Sequence, residues 1–573
     1  MRIIRGIPAA RGIAIGPVYL YTPLAIEIQY CQIEDPAKEW KRLQSAIQTA
    51  SHELHLAHEQ AQQKIGDSEA AIFEAHLEML DDPELLDLTR NTIEDQRINA
   101  ETAFNNAAET YASTMEAMED EYFRARAADI RDVKKRVLRI LLGLEDNPFA
   151  SLNTPSIILA QDLTPSDTIA LDKSLVLGFC TASGGSTSHT AILARGLGLP
   201  AIVGAGNDIL AIPGDSQVIL DGQSGELTVD AGAATIEKYR QKQLSAIQSQ
   251  EAAVKKARQP AITRDGKQVE VVANIGSVEE ARKAIELGAE GVGLLRTEFL
   301  YLREERLPDE EEQYTAYCAI LDSFGDYPVV LRTLDIGGDK EIPYLNIPTE
   351  MNSFLGLRAI RLCFQRPDLF KPQLRAVLRA SAGRNLKLMF PMIATPAEVI
   401  KARQILEECR NELHQEGIST SEKMEVGIMV EIPSAVMLAD HFCKHVDFFS
   451  IGTNDLTQYT LAVDRTHPAL SYLSSAFSPA VLRLVASLIE TAHKYGKWVG
   501  MCGELAGEPA AIPILLGLGL DEFSMNAPMI PTIKEILRSL SANDCRTVAE
   551  RALQMSDPEE VKAYIQKEYP ITK

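Results

Sequence analysis

The rhythm of apolar positions changes twice along the chain, and each change marks a different architecture. Over the first twenty residues, short apolar runs (Ile13-Ala14-Ile15, Val18-Tyr19-Leu20) sit between glycines and prolines, a pattern of strands and turns. Asp35 can then cap a helix and Pro36 can open it. Trp40, Leu43, Ile47, Ala50, Leu54, Ala57 and Ala61 recur at alternating steps of three and four until Gly66, one apolar stripe down a long helix. Similar spacing over 67–81, 84–95, 101–119 and 123–142, with few β-branched runs, predicts an all-helical hairpin bundle.

Near residue 150 the texture becomes β-rich again. Pieces at 156–160, 174–179, 201–203 and 218–220 alternate with Gly and Pro turns and two short helical patterns. The first twenty residues share this texture, so the helices read as an insertion. The prediction is an α/β domain made of 1–21 plus 146–230, with a helical domain, 22–145, inserted into it. A charged helical stretch at 233–257 forms the body of a linker, 231–259. The remainder, 260–573, carries eight apolar runs (269–275, 291–295, 329–334, 386–390, 426–430, 446–451, 498–502 and 522–525) separated by helical segments, the content of a (β/α)₈ barrel. A doubly wound open sheet is the competing architecture. The predicted fold class is therefore multidomain α/β ending in a barrel.

Composition narrows the function classes. With 573 residues, 46% hydrophobic and 24% charged, the chain is neither disordered nor fibrous. A net charge of −23 repels a phosphate backbone, which argues against nucleic acid as a partner. The segment 34–142 is acidic in its own right, with 23 acidic against 13 basic side chains. No run approaches the ~18 apolar residues of a membrane span, and Gly, Pro and Arg11 interrupt the start before a signal core forms. Absence of membrane insertion and a cytoplasmic location are the expectations. Eight scattered cysteines without C-x-x-C spacing read as free thiols.

In such a barrel, functional side chains lie at the C-terminal ends of strands. Those ends offer Arg296, Arg332, Glu431, Asn454, Asp455 and Cys502, with Arg358 and Arg465 on following loops or helix starts. Guanidinium groups beside two hard carboxylates suit a phosphate ester with Mg²⁺. Each arginine could instead pair with a neighbouring carboxylate on the barrel rim; convergence of several strand ends on one mouth favours the site. A second constellation, Thr181-Ala182-Ser183-Gly184-Gly185-Ser186-Thr187-Ser188-His189-Thr190-Ala191-Ile192, follows a strand with a glycine turn and opens a helix at His189. There the helix dipole disfavours imidazolium and leaves a neutral nucleophile, and free N–H groups can receive an anion bound to it. A histidine in this place can equally be structural.

The run Gly184 to Arg195 resembles the phosphohistidine signature of the phosphoenolpyruvate-utilising enzymes, and Asp447-Phe448-Phe449-Ser450-Ile451-Gly452-Thr453-Asn454-Asp455-Leu456-Thr457-Gln458 resembles their second signature. The resemblance covers essentially the whole chain and is nearest to the Enzyme I branch, the phosphoenolpyruvate-protein phosphotransferases of bacterial sugar uptake. Ile72-Phe73-Glu74-Ala75-His76 and Glu121 to Asp129 look like that branch's carrier-docking helices. Ser186 departs from the arginine many relatives carry there, which removes a cation beside the histidine.

The resemblance implies that His189 takes the phosphoryl group on Nε2 from phosphoenolpyruvate and passes it to a histidine-containing phosphocarrier protein, leaving pyruvate. It implies Glu431 and Asp455 as Mg²⁺ ligands, and Arg296, Arg332, Arg358, Asn454 and Arg465 as substrate contacts. Cys502 would be the acid that protonates the enolate, and Thr168 a hydrogen-bond partner of unphosphorylated His189. It further implies a carrier contact near His76, Met79 and Glu84, and a homodimer through the barrel. A pyruvate-phosphate dikinase or phosphoenolpyruvate synthase is the alternative enzyme, disfavoured because no large nucleotide-binding domain and no Gly-x-x-x-x-Gly-Lys loop is present. A non-catalytic docking regulator is the alternative outside enzymes.

Overall fold

The computed structural model describes the chain except residues 23–25, 65–66, 119–120, 145–148, 150–151, 170, 186–188, 303–305, 338–341, 346, 348–349, 351, 465–466, 468–469, 471 and 570–573; the side chains of 62–64, 67–71, 121–125, 189, 246 and 302 are also outside it. The chain divides into two compact units, 1–245 and 246–573.

The first unit begins with β1 (Arg2–Arg5), β2 (Ile7–Ala10) and β3 (Ile13–Leu20). Five helices follow: α1 (Pro36–Lys64), α2 (Asp67–Leu80), α3 (Pro83–Gln96), α4 (Ala100–Glu116) and α5 (Glu121–Leu141). The chain then returns to strands with β4 (Ser156–Ala160), α6 (Pro165–Ile169), β5 (Val176–Thr181), α7 (His189–Leu197), β6 (Ala201–Val203), β7 (Gln217–Asp221) and β8 (Glu226–Val229). The eight strands form one sheet in the order β1-β8-β7-β3-β4-β5-β6-β2. β3 is its pivot, antiparallel to β7 over Ile13–Pro17 and parallel to β4 over Val18–Leu20. Because β3 pairs directly with β4, the helices between them are an insertion in the sheet's path. The first ten residues supply both edges, β1 beside β8 and β2 beside β6.

The α1 stripe does what its spacing predicts: Leu43, Ala50, Leu54 and Ala61 are fully buried with Phe73, Ile93, Phe104 and Val137 in the bundle core. Asp82 starts α3 by accepting hydrogen bonds from the Glu84 and Leu85 amides. The bundle is clasped to α6, where the Ser166 hydroxyl donates to Asp132 (2.7 Å) and accepts from Arg136 (2.9 Å).

Helix α8 (Ala233–Lys255) leads to the second unit. There β9 (Ala261–Ile262) forms an antiparallel hairpin with β10 (Gln268–Ile275), a feature the apolar pattern did not announce. The strands β11 (Val292–Leu295), β12 (Val329–Arg332), β13 (Leu386–Phe390), β14 (Val426–Val430), β15 (Phe448–Ile451), β16 (Trp498–Met501) and β17 (Glu522–Met525) continue in parallel. Pairing of β10 with both β11 and β17 closes an eight-stranded barrel, so the open-sheet alternative is excluded. Leu294, Val330, Met389, Met429, Phe448 and Cys502 pack as a separate cluster that draws its members from six strands or strand ends, with Phe448 stacked on Trp498 at 4.4 Å. Among the described residues no helix is long and apolar enough to cross a membrane, and the eight cysteines are free thiols.

Candidate functional site

The C-terminal ends of the barrel strands bring charged groups into a buried network. Arg332, the last residue of β12, donates from Nη2 to Glu298 Oε1 (2.8 Å) and pairs through Nη1 with Asp335 Oδ2 (2.9 Å). Asp335 in turn accepts from Arg358 Nε (2.9 Å) and Nη2 (3.1 Å). The other edge of the Arg358 guanidinium reaches both oxygens of Asp455 at 3.3 Å. All five side chains are buried. Burial works against the positive charge of both arginines, but the carboxylates outweigh it and hold their pKa values well above the ordinary arginine value. The arginines do pair with neighbouring carboxylates. They interlock at one mouth instead of lying separately along the rim.

Glu431 follows β14 and Asp455 lies in the first turn of the helix after the adjacent β15. Glu431 is 1% exposed and accepts the Met392 amide at 2.8 Å. Burial, with the charges of Asp455 and Asp335 near it, pushes its carboxyl up to about 8, against the pull of Arg332 and Arg358. A carboxyl in that condition is short of positive charge. Among the described residues no three His, Cys, Asp or Glu side chains converge as a metal cage. Two hard oxygen donors, with the remaining places left to water and substrate oxygens, match a small divalent cation.

Cys502 follows β16, next to β15. Its sulfur accepts from Ser450 Oγ at 3.3 Å, and burial pushes the thiol up to about 11, with Ser450 and Arg332 opposing. A thiol held protonated at neutral pH can serve as an acid. Asn454 is tied to Glu504 in both directions, donating at 3.2 Å and accepting the Glu504 amide at 3.1 Å. Arg296 follows β11 as an exposed residue outside the interlocked set. Arg465 lies outside the described residues. Glu298, Asp335 and Ser450 also belong to the mouth, although strand-end arginines and metal ligands do not by themselves point to them. Their signal was present, because Asp335 is three residues from Arg332 and Glu298 two from Arg296 at the same mouth.

In the first unit His189 opens α7, as its place after the glycine turn predicts, while its side chain and Ser186 lie outside what is described. Thr190 anchors that helix start by donating to the Leu163 carbonyl at 2.8 Å. Thr168 is fully buried on α6 and gives its hydroxyl proton to the Thr164 carbonyl at 2.9 Å, so toward any further partner it can act only as an acceptor.

The bundle residues separate by depth. Glu84 is exposed and Met79 half-buried. His76, expected at the carrier contact, is 0% exposed, with Nε2 3.5 Å from Asp129 and Nδ1 3.8 Å from Asp132. His76 is therefore not a surface contact, because position 76 falls on the same helical stripe as Ile72, Phe73 and Leu80, all buried.

Comparison with known proteins agrees with this layout. The family model described as PEP-utilising enzyme, PEP-binding domain, matches residues 250–542. Those for the N-terminal and mobile domains of the same enzymes match 5–126 and 152–225. Curated relatives with the name phosphoenolpyruvate-protein phosphotransferase include that of Priestia megaterium, 48% identical over 99% of both chains. That of Geobacillus stearothermophilus is 46% identical over 100% of this chain and 99% of its own, and that of Bacillus subtilis 46% identical over 99% and 100%. A charged mouth on a closed barrel, a histidine at a helix start in a separate module, and identity from end to end have one common explanation: the chain belongs to the family of phosphoenolpyruvate-utilising enzymes.

Proposed function

We propose that the chain transfers the phosphoryl group of phosphoenolpyruvate to His189 and then to a histidine of a small phosphocarrier protein, the entry reaction of phosphotransferase sugar uptake. The observation that carries this reading is the Arg332–Asp335–Arg358 lattice set beside Glu431, Asp455 and Cys502 at the barrel mouth. Similarity to phosphoenolpyruvate-protein phosphotransferases over the full length supports it.

Arg332 and Arg358, with Arg296, Asn454 and Arg465, bind the phosphate and carboxylate of the substrate. Because carboxylates already fix the guanidinium planes of Arg332 and Arg358, little reorganisation accompanies binding. Glu431 and Asp455 would hold Mg²⁺, which would supply positive charge to offset that of the transferring phosphoryl group. The bond from phosphorus to the enol oxygen breaks as a bond to a ring nitrogen of His189 forms. The departing enolate takes a proton at its methylene carbon from Cys502 Sγ and becomes pyruvate, and the thiolate regains a proton from solvent. Thr168, as an acceptor, orients the unphosphorylated imidazole.

His189 belongs to the first unit and the mouth to the second, so we assign the segments separate tasks. The α/β module of 1–21 and 146–230 carries the histidine, the helices of 22–145 dock the carrier around Met79 and Glu84, and the 231–259 linker lets the module swing. The barrel, 260–573, binds substrate and forms a homodimer, and the protein works in the cytoplasm. No observation favours the dikinase or docking-regulator readings. Labelled phosphoenolpyruvate and Mg²⁺, with and without purified phosphocarrier protein, test the proposal. An acid-labile, base-stable phosphate on His189, chased onto the carrier with release of pyruvate, is expected; a protein that acquires no such phosphate overturns it.

A further inference from the structure

Past the end of α8 the chain runs over a buried cation. Lys534, on the barrel helix Ile530–Ser539, is 0% exposed. Its Nζ donates to the carbonyls of Ala257 (3.0 Å) and Gly288 (2.7 Å) and pairs with Glu290 Oε1 (3.1 Å). Four residues on, Arg538 Nη1 donates to the carbonyls of Lys256 (3.3 Å) and Gln259 (3.0 Å). The segment sits so close that a Cβ on Gly288 would lie 2.2 Å from the Ala257 oxygen, and Gly288 also holds φ +83°. Ala253 and Ala257 are themselves buried, at 3% and 0% exposed.

Carbonyls just past a helix C-terminus carry the negative end of the dipole, and cations there satisfy and stabilise them. A fully buried lysine is nonetheless expensive to desolvate, and an apolar side chain would fill a mere packing position more cheaply. Three acceptors converging on one ammonium, beside a glycine with no room for a methyl group, describe a socket that grips a backbone at a set place.

We infer that Lys534, Arg538 and Gly288 anchor the linker's C-terminal end to the barrel, so that the swing of the histidine module takes place N-terminal to Ala253 and charging of His189 depends on this fixed end. The inference rests on the phosphotransfer reading above. Lys534 is a positioning residue: it touches the linker and no reactant.

The test uses the full-length chain with Lys534→Met and, separately, Arg538→Ala. Arg538→Ala removes the second pair of carbonyl contacts from a side chain that is 16% exposed, and it decides the matter if Lys534→Met does not fold. The expected result is a fall of tenfold or more in kcat for charging by phosphoenolpyruvate in Lys534→Met and a smaller fall in Arg538→Ala. KM for phosphoenolpyruvate and phosphate exchange between His189 and phosphorylated carrier should be unchanged. Amides of 256–259 should exchange faster with solvent. Charging at the parental rate in the folded variants, or a rise in KM that accounts for the loss, overturns the anchor. A parental chain that phosphoenolpyruvate does not charge overturns the functional reading, and the inference with it.

Discussion

Asp335 grips Arg358 with both carboxylate oxygens, at 2.9 and 3.1 Å, and the same carboxylate also meets Arg332. One acid thus sets the planes of two bases, one at the end of β12 and the other on a loop 26 residues further along the chain. Removing it leaves two buried guanidinium groups under-compensated. Asp335→Asn should destabilise the barrel by about 3 kcal/mol, the scale for breaking a buried pair, and raise KM for phosphoenolpyruvate more than it lowers kcat. Denaturant melts and steady-state charging of His189 measure the two effects.

The carboxylates assigned to the cation should behave differently from Asp335. Glu431→Ala and Asp455→Ala should abolish charging while the barrel stays folded, since strand-end residues at a barrel mouth serve function more than stability. Full activity of either variant at limiting Mg²⁺ removes it from the cation site. Chelation of divalent ions should silence the parental chain in the same assay and leave its circular dichroism unchanged.

Cys502 separates binding from proton delivery. Cys502→Ala should bind phosphoenolpyruvate with near-parental affinity, because the phosphate contacts come from other side chains, but form pyruvate slower by ~10² or more. Calorimetry reads the first quantity and a coupled pyruvate assay the second. Unchanged turnover would make Cys502 a packing residue.

Glu522 gives a pH dependence away from the mouth. Its carboxyl is 2% exposed, with Oε1 unbonded among the described residues, and burial, reinforced by Glu270, pushes it up to about 8 from 4.5. A carboxyl with a raised folded-state pKa holds its proton in the native chain after the unfolded chain has lost it, so stability falls as pH rises from about 4.5 to about 8. Glu522→Gln should flatten that slope and gain on the order of 2 kcal/mol over the parent at pH 8, with little change near pH 5. Thermal melts across the range decide it.

Much of this architecture was legible because burial writes a period into a chain. Each of the eight apolar runs became a barrel strand, since strands enclosed by helices must be apolar on both faces, and the α1 stripe turned inward as spaced. What stayed hidden depends on partners distant in sequence. β3 switches from antiparallel to parallel pairing at Pro17, and no local pattern says which strands will flank it. At the mouth, strand-end reading found Arg332 and Arg358 but not that Asp335 would join them, because convergence depends on loop paths. The burial of His76 was readable in principle from its place between Phe73 and Leu80; a histidine on an apolar stripe is easily mistaken for a surface group.

The pairing of β1 with β8 joins Arg2–Arg5 to residues 226–229. As the chain leaves the ribosome, the first three strands therefore wait for the whole helical insert and five more strands before the antiparallel side of their sheet is complete. The bundle, built from contacts close in sequence, has the means to fold first. The histidine module is then the last part of its unit to close, and the N-terminal strands spend that interval with open edges that are candidates for chaperone capture or mispairing.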